Sequence, residues 1–232
     1  MQEQSKRRRL ALTTIVVLVI MPLVILCGIY LFNDRNYRLI SILLAILACV
    51  PFFVSFEKKK PKARELIIIS VMSAISSVGR LVFTFIPGFK PVTAITVITG
   101  VSMGAEAGFF TGAMSALISN IFFGQGPWTP FQMLTWGLIG FVAGLLSKLK
   151  IMQNKIVLSI YGILSGVVFS LIMDVWTVMS IDNQFSVARY LATVVTSIPI
   201  MVAYAISNVI FLVLLARPIG KKLERIKMKY GI

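Results

Sequence analysis

Long apolar segments alternate with short loops along almost the whole chain, and this pattern limits the folds that the chain can adopt. Segments of about 17 to 25 apolar residues match the roughly 30 Å hydrocarbon thickness of a bilayer. The composition agrees, because 58% of the residues are hydrophobic and only 13% are charged. The pattern predicts an all-α integral membrane protein that crosses the bilayer several times.

The cations give the direction of the crossings. The apolar segments cover residues 10–32, 39–56, 66–86, 91–122, 129–149, 156–179 and 190–216. Of the 23 Lys and Arg residues, 18 lie in four stretches between or beside them: 6–9, 58–64, 148–155 and 217–229. Cytoplasmic loops near span ends carry such an excess of Lys and Arg. We therefore place these four stretches, and with them both termini, in the cytoplasm.

Residues 91–122 form a segment that is too long for one ordinary span. The cation-rich stretches before and after it are both predicted to be cytoplasmic, so an even number of crossings must separate them. We therefore predict that the segment crosses twice and breaks at Gly100 to Ala107. The total is then eight crossings. A seven-span alternative would break the charge rule at one end.

A basic linker, residues 57–65, divides the chain into two parts. Residues 1–56 are predicted to form a two-helix hairpin, and residues 66–232 a six-helix bundle with a basic cytoplasmic tail. Polar groups in hydrocarbon usually face a bundle interior, a partner or a cavity. We expect the function to reside after residue 65, because that part carries Arg80, Glu106, Asn120, Asp174 and Asn208 within or beside its spans.

Small residues recur at helical spacing in the second part. Glycines stand at every fourth position from Gly100 to Gly112, and three more mark the next span at Gly137, Gly140 and Gly144. Small residues at this spacing allow helices in lipid to approach closely. The glycines predict tight packing within the chain, and a subunit-docking face is the alternative.

The loop around residues 120–133 combines glycines, prolines, aromatic rings and amide side chains. Glycine widens the backbone conformations available there, and proline restricts them. Ligand sites combine apolar and aromatic walls with a few fixed polar groups. We therefore expect substrate contacts from Asn120, Phe123, Gln125, Trp128, Thr129, Gln132 and Trp136. Trp128 could instead be a membrane-interface residue, since Trp favours the headgroup level.

A second group of candidate substrate contacts lies near the next outward loop, at Asp174, Trp176 and Asn183. Arg80 and Asp174 are both predicted in the outer half of the membrane. An ion pair between them would offset the desolvation of each charge. Direct contact with the substrate is the alternative for these two residues.

Several function classes lack the residues that they need. The chain has no nucleotide-binding Gly-x-x-x-x-Gly-Lys-Ser/Thr motif, no histidine and no Asp-rich magnesium motif, so we expect no catalysis, no metal and no cofactor. The cations lie beside spans, which argues against nucleic-acid binding. Membrane-embedded carboxylates are scarce, which disfavours a standalone secondary transporter. A binding subunit powered by a partner fits better, and a non-transporting scaffold of an envelope complex is a third possibility.

From about Glu65 onward the chain resembles the substrate-binding S components of energy-coupling factor (ECF) vitamin transporters. The resemblance lies in Pro91–Gly100, in Gly108–Leu117 and in the Phe-Gly-Gln-Gly-Pro-Trp-Thr-Pro-Phe-Gln sequence of residues 123–132. The last of these segments is similar to a branch linked to corrinoid uptake. The resemblance therefore suggests cobalamin as the substrate. The N-terminal hairpin departs from the family's usual six-span pattern.

The resemblance also implies partners and a location. S components lie in the plasma membrane of prokaryotes, capture a vitamin at the outer face, and associate with a transmembrane coupling subunit and two ATP-binding subunits. Small residues on the first core helix are implied to dock on the coupling subunit. The matching positions here are Ser70, Ala74 and Ser77.

Overall fold

The computed structural model describes residues 63–149, 151–182 and 186–231, together with six single positions before residue 63. The N-terminal hairpin, most of the basic linker and Asn183 lie outside the described residues. Within them the secondary structure is entirely helical. The six α-helices are α1 (Ala63–Val82), α2 (Val92–Met103), α3 (Ala105–Phe123), α4 (Thr129–Leu146), α5 (Lys155–Asp182) and α6 (Val187–Tyr230). Two 3-10 turns, Ser147–Leu149 and Ile151–Gln153, connect α4 to α5.

The helices have the length and composition of membrane spans. Four of them, α1, α4, α5 and α6, are long and apolar enough to cross a bilayer. Helix α2 is apolar but has only 12 residues, which corresponds to a rise of about 18 Å. The prediction of an all-helical, multi-pass membrane protein is confirmed at this level. The count of eight crossings and the side of each terminus stay predictions.

The long segment of residues 91–122 breaks within the predicted range, Gly100 to Ala107. Helix α2 ends at Met103 and α3 begins at Ala105, with Gly104 between them at φ 106°. That backbone conformation is strained for residues other than glycine. The Gly104 N–H donates to the carbonyl oxygen of Gly100 at 2.9 Å and so closes the end of α2. The predicted break is therefore confirmed.

Helix α2 lies at the centre of the bundle, and glycines allow its neighbours to approach. All residues from Val92 to Gly100 are buried, as expected for a helix that is apolar on every side. A Cβ on Gly100 or on Gly108 would overlap the backbone of Gly140 on α4, and one on Gly144 would overlap Ala105. The glycines therefore serve packing within the chain, which confirms the first of the two interpretations.

The cation-rich segments meet at one end of the bundle. The guanidinium of Arg64, at the start of α1, lies 4.7 Å from the ring centroid of Tyr230, at the end of α6. The Lys227 Nζ donates to the carbonyl oxygen of Ser102, near the end of α2, at 3.4 Å. We call this end of the bundle the basic end. The opposite end, which contains the loop between α1 and α2 and the loop between α3 and α4, is called the mouth. These contacts agree with the prediction that the cation-rich segments share one side of the membrane.

Helix α6 is longer than the sequence pattern indicated. The apolar segment ends at Ala216, yet the helix continues through Pro218 and the basic stretch to Tyr230. Leu223 is 4% exposed and belongs to the core, so this extension packs against the bundle. Gly231, in the left-handed conformation, caps the helix by donating to the Lys227 carbonyl. The helix has 44 residues, which corresponds to about 66 Å, so it extends well beyond the hydrocarbon layer.

Candidate functional site

The mouth contains a hydrogen-bond network centred on Asn120, near the end of α3. The Asn120 side chain is fully buried. Its Nδ2 donates to Thr129 Oγ1 and to Gln132 Oε1, both at 2.9 Å. Its Oδ1 accepts a hydrogen bond from Arg80 Nη1 at 2.8 Å. A single amide therefore joins α1, α3 and α4 at the mouth.

Thr129 extends this network into the loop between α3 and α4. Its hydroxyl donates to Gln125 Oε1 at 3.1 Å and accepts from the Gly126 N–H at 3.3 Å. Gln125 Nε2 in turn donates to the carbonyl oxygen of Leu117 at 2.7 Å. The predicted amide side chains thus hold one another and the loop in place. Gln125 is exposed, whereas Gln132 is buried.

Trp128 folds back onto its own loop. A Cβ on Gly126 would overlap the outer edge of the Trp128 ring, so a larger residue there would require the ring to move. The ring is partly buried and packs against the core. Phe123, which is 38% exposed, lies beneath the Arg80 guanidinium at 4.4 Å from its ring centroid. Both aromatic residues therefore border the network.

Arg80 does not form the expected ion pair with Asp174. Its Nη1 donates to Ser119 Oγ at 2.6 Å and to Asn120 Oδ1. The carboxylate of Asp174 accepts a hydrogen bond from Ser197 Oγ on α6, also at 2.6 Å. The predicted ion pair was therefore wrong. Neutral groups on α3 accept hydrogen bonds from Arg80, and a neutral hydroxyl on α6 donates to Asp174.

The second feature of the mouth is a group of three aromatic rings around the ammonium of Lys90, which we call the aromatic cage. Lys90 Nζ lies 5.3 Å from the ring centroid of Trp136, 5.2 Å from that of Phe169 and 4.6 Å from that of Tyr204. It also donates to Tyr204 Oη at 3.3 Å. Cations are attracted to ring faces at such distances. The cage therefore joins α4, α5 and α6 through the loop before α2.

The backbone of Lys90 is fixed as well. Its N–H donates to Ser207 Oγ at 2.9 Å, and its carbonyl accepts from the same hydroxyl at 3.1 Å. Burial lowers the pKa of the Lys90 ammonium to about 7, and the charge of Arg80 contributes to this shift. Lys90 therefore changes its charge near neutral pH.

Two further polar or aromatic residues singled out from the sequence have contacts elsewhere in the bundle. Trp176 is largely buried, with its ring centroid 5.5 Å from that of Phe131. Asn208, one of the polar residues that led us to expect function in this part of the chain, donates to the Gly162 carbonyl at 3.0 Å and holds α5 against α6. Asn208 thus has a structural role.

Sequence reasoning missed Lys90 and two of the three cage rings. Trp136 was predicted, and it stacks on Phe169 with 5.0 Å between ring centroids. Phe169 and Tyr204 lie inside apolar segments, where aromatic residues give no distinct signal. The available signal was Lys90 itself, a single cation between Phe89 and Pro91 in a loop predicted to face outward.

The predicted docking residues divide between two faces of α1. Ser70 and Ala74 are exposed, beside an apolar stripe that includes Ile67, Val71 and Ile75. Ser77 is buried, and its hydroxyl donates to the carbonyl oxygens of Ser73 at 2.8 Å and Ser115 at 3.4 Å. Ser77 therefore faces the bundle and not the exposed stripe.

A helical membrane bundle with amides, aromatic rings and two cations at one mouth has the arrangement of a membrane-embedded solute-binding protein. In the described part of the chain, no group of three or more His, Cys, Asp or Glu side chains could hold a metal ion. The chain belongs to the family of ECF-type riboflavin transporter S components, whose model matches residues 60–225. Members of this family are transport components and not enzymes.

The other comparisons add a distant relative. Over 106 residues the chain is 27% identical to a UPF0397 protein of Vibrio atlanticus (strain LGP32). This match covers 40% of the chain and 56% of that protein, so the chain spans just over half of the relative's length. No solved structure matches. The resemblance to S components is confirmed, whereas the corrinoid branch receives no support.

Proposed function

We propose that the chain is the substrate-binding subunit of an ECF importer and captures a flat, carbonyl-rich vitamin at the mouth, with riboflavin as the first ligand to test. The placement of two cations carries this proposal. Arg80 Cζ and Lys90 Nζ each lie 5.3 Å from the ring centroid of Trp136. Among the described residues, neither contacts a carboxylate. A site with this charge favours electron-rich or anionic ligands.

The cage favours a flat ring as the apolar part of the ligand. Trp136, Phe169 and Tyr204 present ring faces or edges to the position that the Lys90 ammonium now holds. Aromatic rings pair with one another through stacked or edge contacts. A ligand ring entering this position would displace the ammonium, which could then donate to a ligand carbonyl. The isoalloxazine ring of riboflavin has both the flat surface and the carbonyl oxygens.

Cobalamin, the substrate suggested by the resemblance of the loop, fits these features less well. A corrin presents mainly aliphatic edges and amide side chains. These groups do not form the stacked or edge contacts that three aromatic rings around a cation offer. The description of the family model that matches residues 60–225 also names riboflavin. Cobalamin is therefore the competing ligand in the test below.

The energy for import would come from partners. We propose that a transmembrane coupling subunit and two ATP-binding subunits act with this chain in the plasma membrane of a prokaryote. The exposed stripe of α1 with Ser70 and Ala74 would contact the coupling subunit. The positive-inside rule places the mouth at the outer face, where it can meet the vitamin.

Mass spectrometry of the small molecule released from the purified, denatured chain tests the proposal. We expect a flavin from the wild type, reduced at least about tenfold in the double variant Arg80→Gln/Lys90→Gln, because both cations of the mouth are lost. Arg225→Gln/Lys229→Gln, at the basic end, is the matched control and should retain the flavin.

Two outcomes would contradict the proposal. Equal retention by both double variants would remove the mouth from the binding site, and release of a corrinoid would replace the substrate. Uptake by the chain alone, in vesicles without ATP-binding subunits, would instead favour a standalone secondary transporter.

A further inference from the structure

A cavity at the basic end has an apolar wall. Its volume is about 490 Å³, and it lies between α2, α5 and α6. Ile98, Leu158 and Leu212 form buried parts of this wall, and Val213 is 45% exposed. The wall thus offers aliphatic side chains from three helices, and nothing in the proposed transport of a vitamin uses it.

The rim of the same cavity is basic. Among the described residues, the rim is lined by Lys155 from the start of α5, by Arg217 and Lys221 from α6, and by one acidic residue, Glu224. All four side chains are exposed. Within the part of the chain that the structure describes, the charged groups of Lys155, Arg217 and Lys221 form no hydrogen bond and no ion pair, and Glu224 is not paired with any of them. The rim therefore carries a net positive charge, and none of its three cations is paired with another of the described residues.

We propose that this cavity binds an anionic phospholipid of the inner leaflet, with the phosphodiester headgroup among the three cations and an acyl chain along the apolar wall. Basic pockets between membrane helices on the cytoplasmic side bind such headgroups. Lys155 begins α5, and Arg217 follows the last apolar residue of the α6 segment, so both lie at the level where headgroups are found. Lipid is the occupant that matches cations and aliphatic surface together.

A free phosphate ion matches only half of the cavity. It could contact the cations but would leave the aliphatic wall uncovered. An acidic segment of a protein partner could contact the rim, but it would not account for the aliphatic wall, in which Val213 is 45% exposed on an apolar part of α6. The lipid therefore explains both features of the cavity.

Native mass spectrometry of the purified full chain tests this site. The chain is mixed with equal amounts of phosphatidylglycerol and phosphatidylcholine, and bound lipids are counted. One variant removes the three rim cations, and a matched variant removes three cations of α6 that do not line the cavity. The two are Lys155→Gln/Arg217→Gln/Lys221→Gln and Lys222→Gln/Arg225→Gln/Lys229→Gln.

The wild type should retain phosphatidylglycerol over phosphatidylcholine by at least about tenfold, since each nearby cation strengthens anionic-lipid binding. The rim variant should lose this preference, and the matched variant should keep it. Glu224→Gln should increase this preference, because a negative charge at the rim is removed. Thermal unfolding of each variant is measured as a control for an intact bundle.

Three results would overturn the lipid site. They are an unchanged preference in the rim variant, an equal loss in both triple variants, and displacement of the lipid by inorganic phosphate or by glycerophosphoglycerol without acyl chains. If the rim variant kept its lipid but no longer bound the coupling subunit, the cavity would belong to a protein interface.

Discussion

Replacing Asn120 by Leu should destabilise the bundle far more than the same change at an exposed asparagine. Asn120 is fully buried and makes three hydrogen bonds to two other helices. Leucine has a similar volume, so the change removes these bonds without opening a large cavity. The perturbation therefore isolates the polar network of the mouth.

The expected magnitude follows from the partners. The hydrogen bond from the charged Arg80 contributes about 1.5 to 3 kcal/mol. Each neutral bond between membrane helices, here to Thr129 and Gln132, contributes about 0.6 kcal/mol on average. The free energy of unfolding should therefore fall by about 3 to 4 kcal/mol in total.

The control is Asn154→Leu. Asn154 precedes α5 at the basic end, and its Oδ1 accepts a single exposed hydrogen bond from the Ile156 N–H at 2.8 Å. Loss of such a cap costs about 1 kcal/mol. Unfolding in mixed detergent micelles, followed by circular dichroism, measures both variants. Equal losses at Asn120 and Asn154 would refute the claim that the network joins three helices.

Three further predictions follow from single residues. Gly140→Val should lower the unfolding temperature sharply, or prevent recovery of folded protein, because a side chain there meets the backbone of α3; an unchanged melting curve would contradict the packing. Vitamin affinity should fall as pH rises from 6 to 8, since the pKa of Lys90 is lowered to about 7 and its ammonium is lost over this range; titrations with Lys90→Gln, whose affinity should not vary over that range, provide the check. Asp174→Asn should change the unfolding free energy by less than about 1 kcal/mol, because asparagine keeps an acceptor oxygen for the Ser197 hydroxyl and removes the cost of burying a charge; a loss of about 3 to 5 kcal/mol would indicate a buried ion pair with Arg80.

The sequence predicted the features that depend on length, charge and residue size. The break at Gly104 followed from parity of the crossings together with the interruption of the apolar run. Packing at Gly100 and Gly140 followed from the spacing of small residues. These properties can be read along one chain, because each depends on local composition and on which side of the membrane a loop lies.

Features that depend on how helices are rotated against one another could not be predicted. The cage around Lys90 requires three helices to turn their aromatic residues toward one loop. The partner of Arg80 likewise depends on which face of α3 lies beside α1. The sequence favoured Asp174 because of its opposite charge, whereas the folded chain places Ser119 and Asn120 beside Arg80. A hydrophobic period identifies a buried face but not the neighbour that covers it.

The extension of α6 belongs to a third group, in which the signal was present but ambiguous. Residues 217–230 contain Lys, Arg, Glu, Leu and Ile, most of which favour helix formation. The same residues also suit a solvated basic tail. Burial of Leu223 decides between the two, and that contact is visible only in the folded chain.

Ligand protection of a cysteine at the mouth tests the central claim most directly. Gln125, which is exposed, is replaced by cysteine after Cys27 and Cys49 have been changed to serine. In intact cells, a membrane-impermeant maleimide should label this cysteine, and riboflavin should slow the labelling. A cysteine at Lys229 should react only in inverted vesicles and should be insensitive to riboflavin. Labelling of the Gln125 position only from the cytoplasmic side, or at a rate that riboflavin does not change, would contradict a vitamin-binding mouth at the outer face.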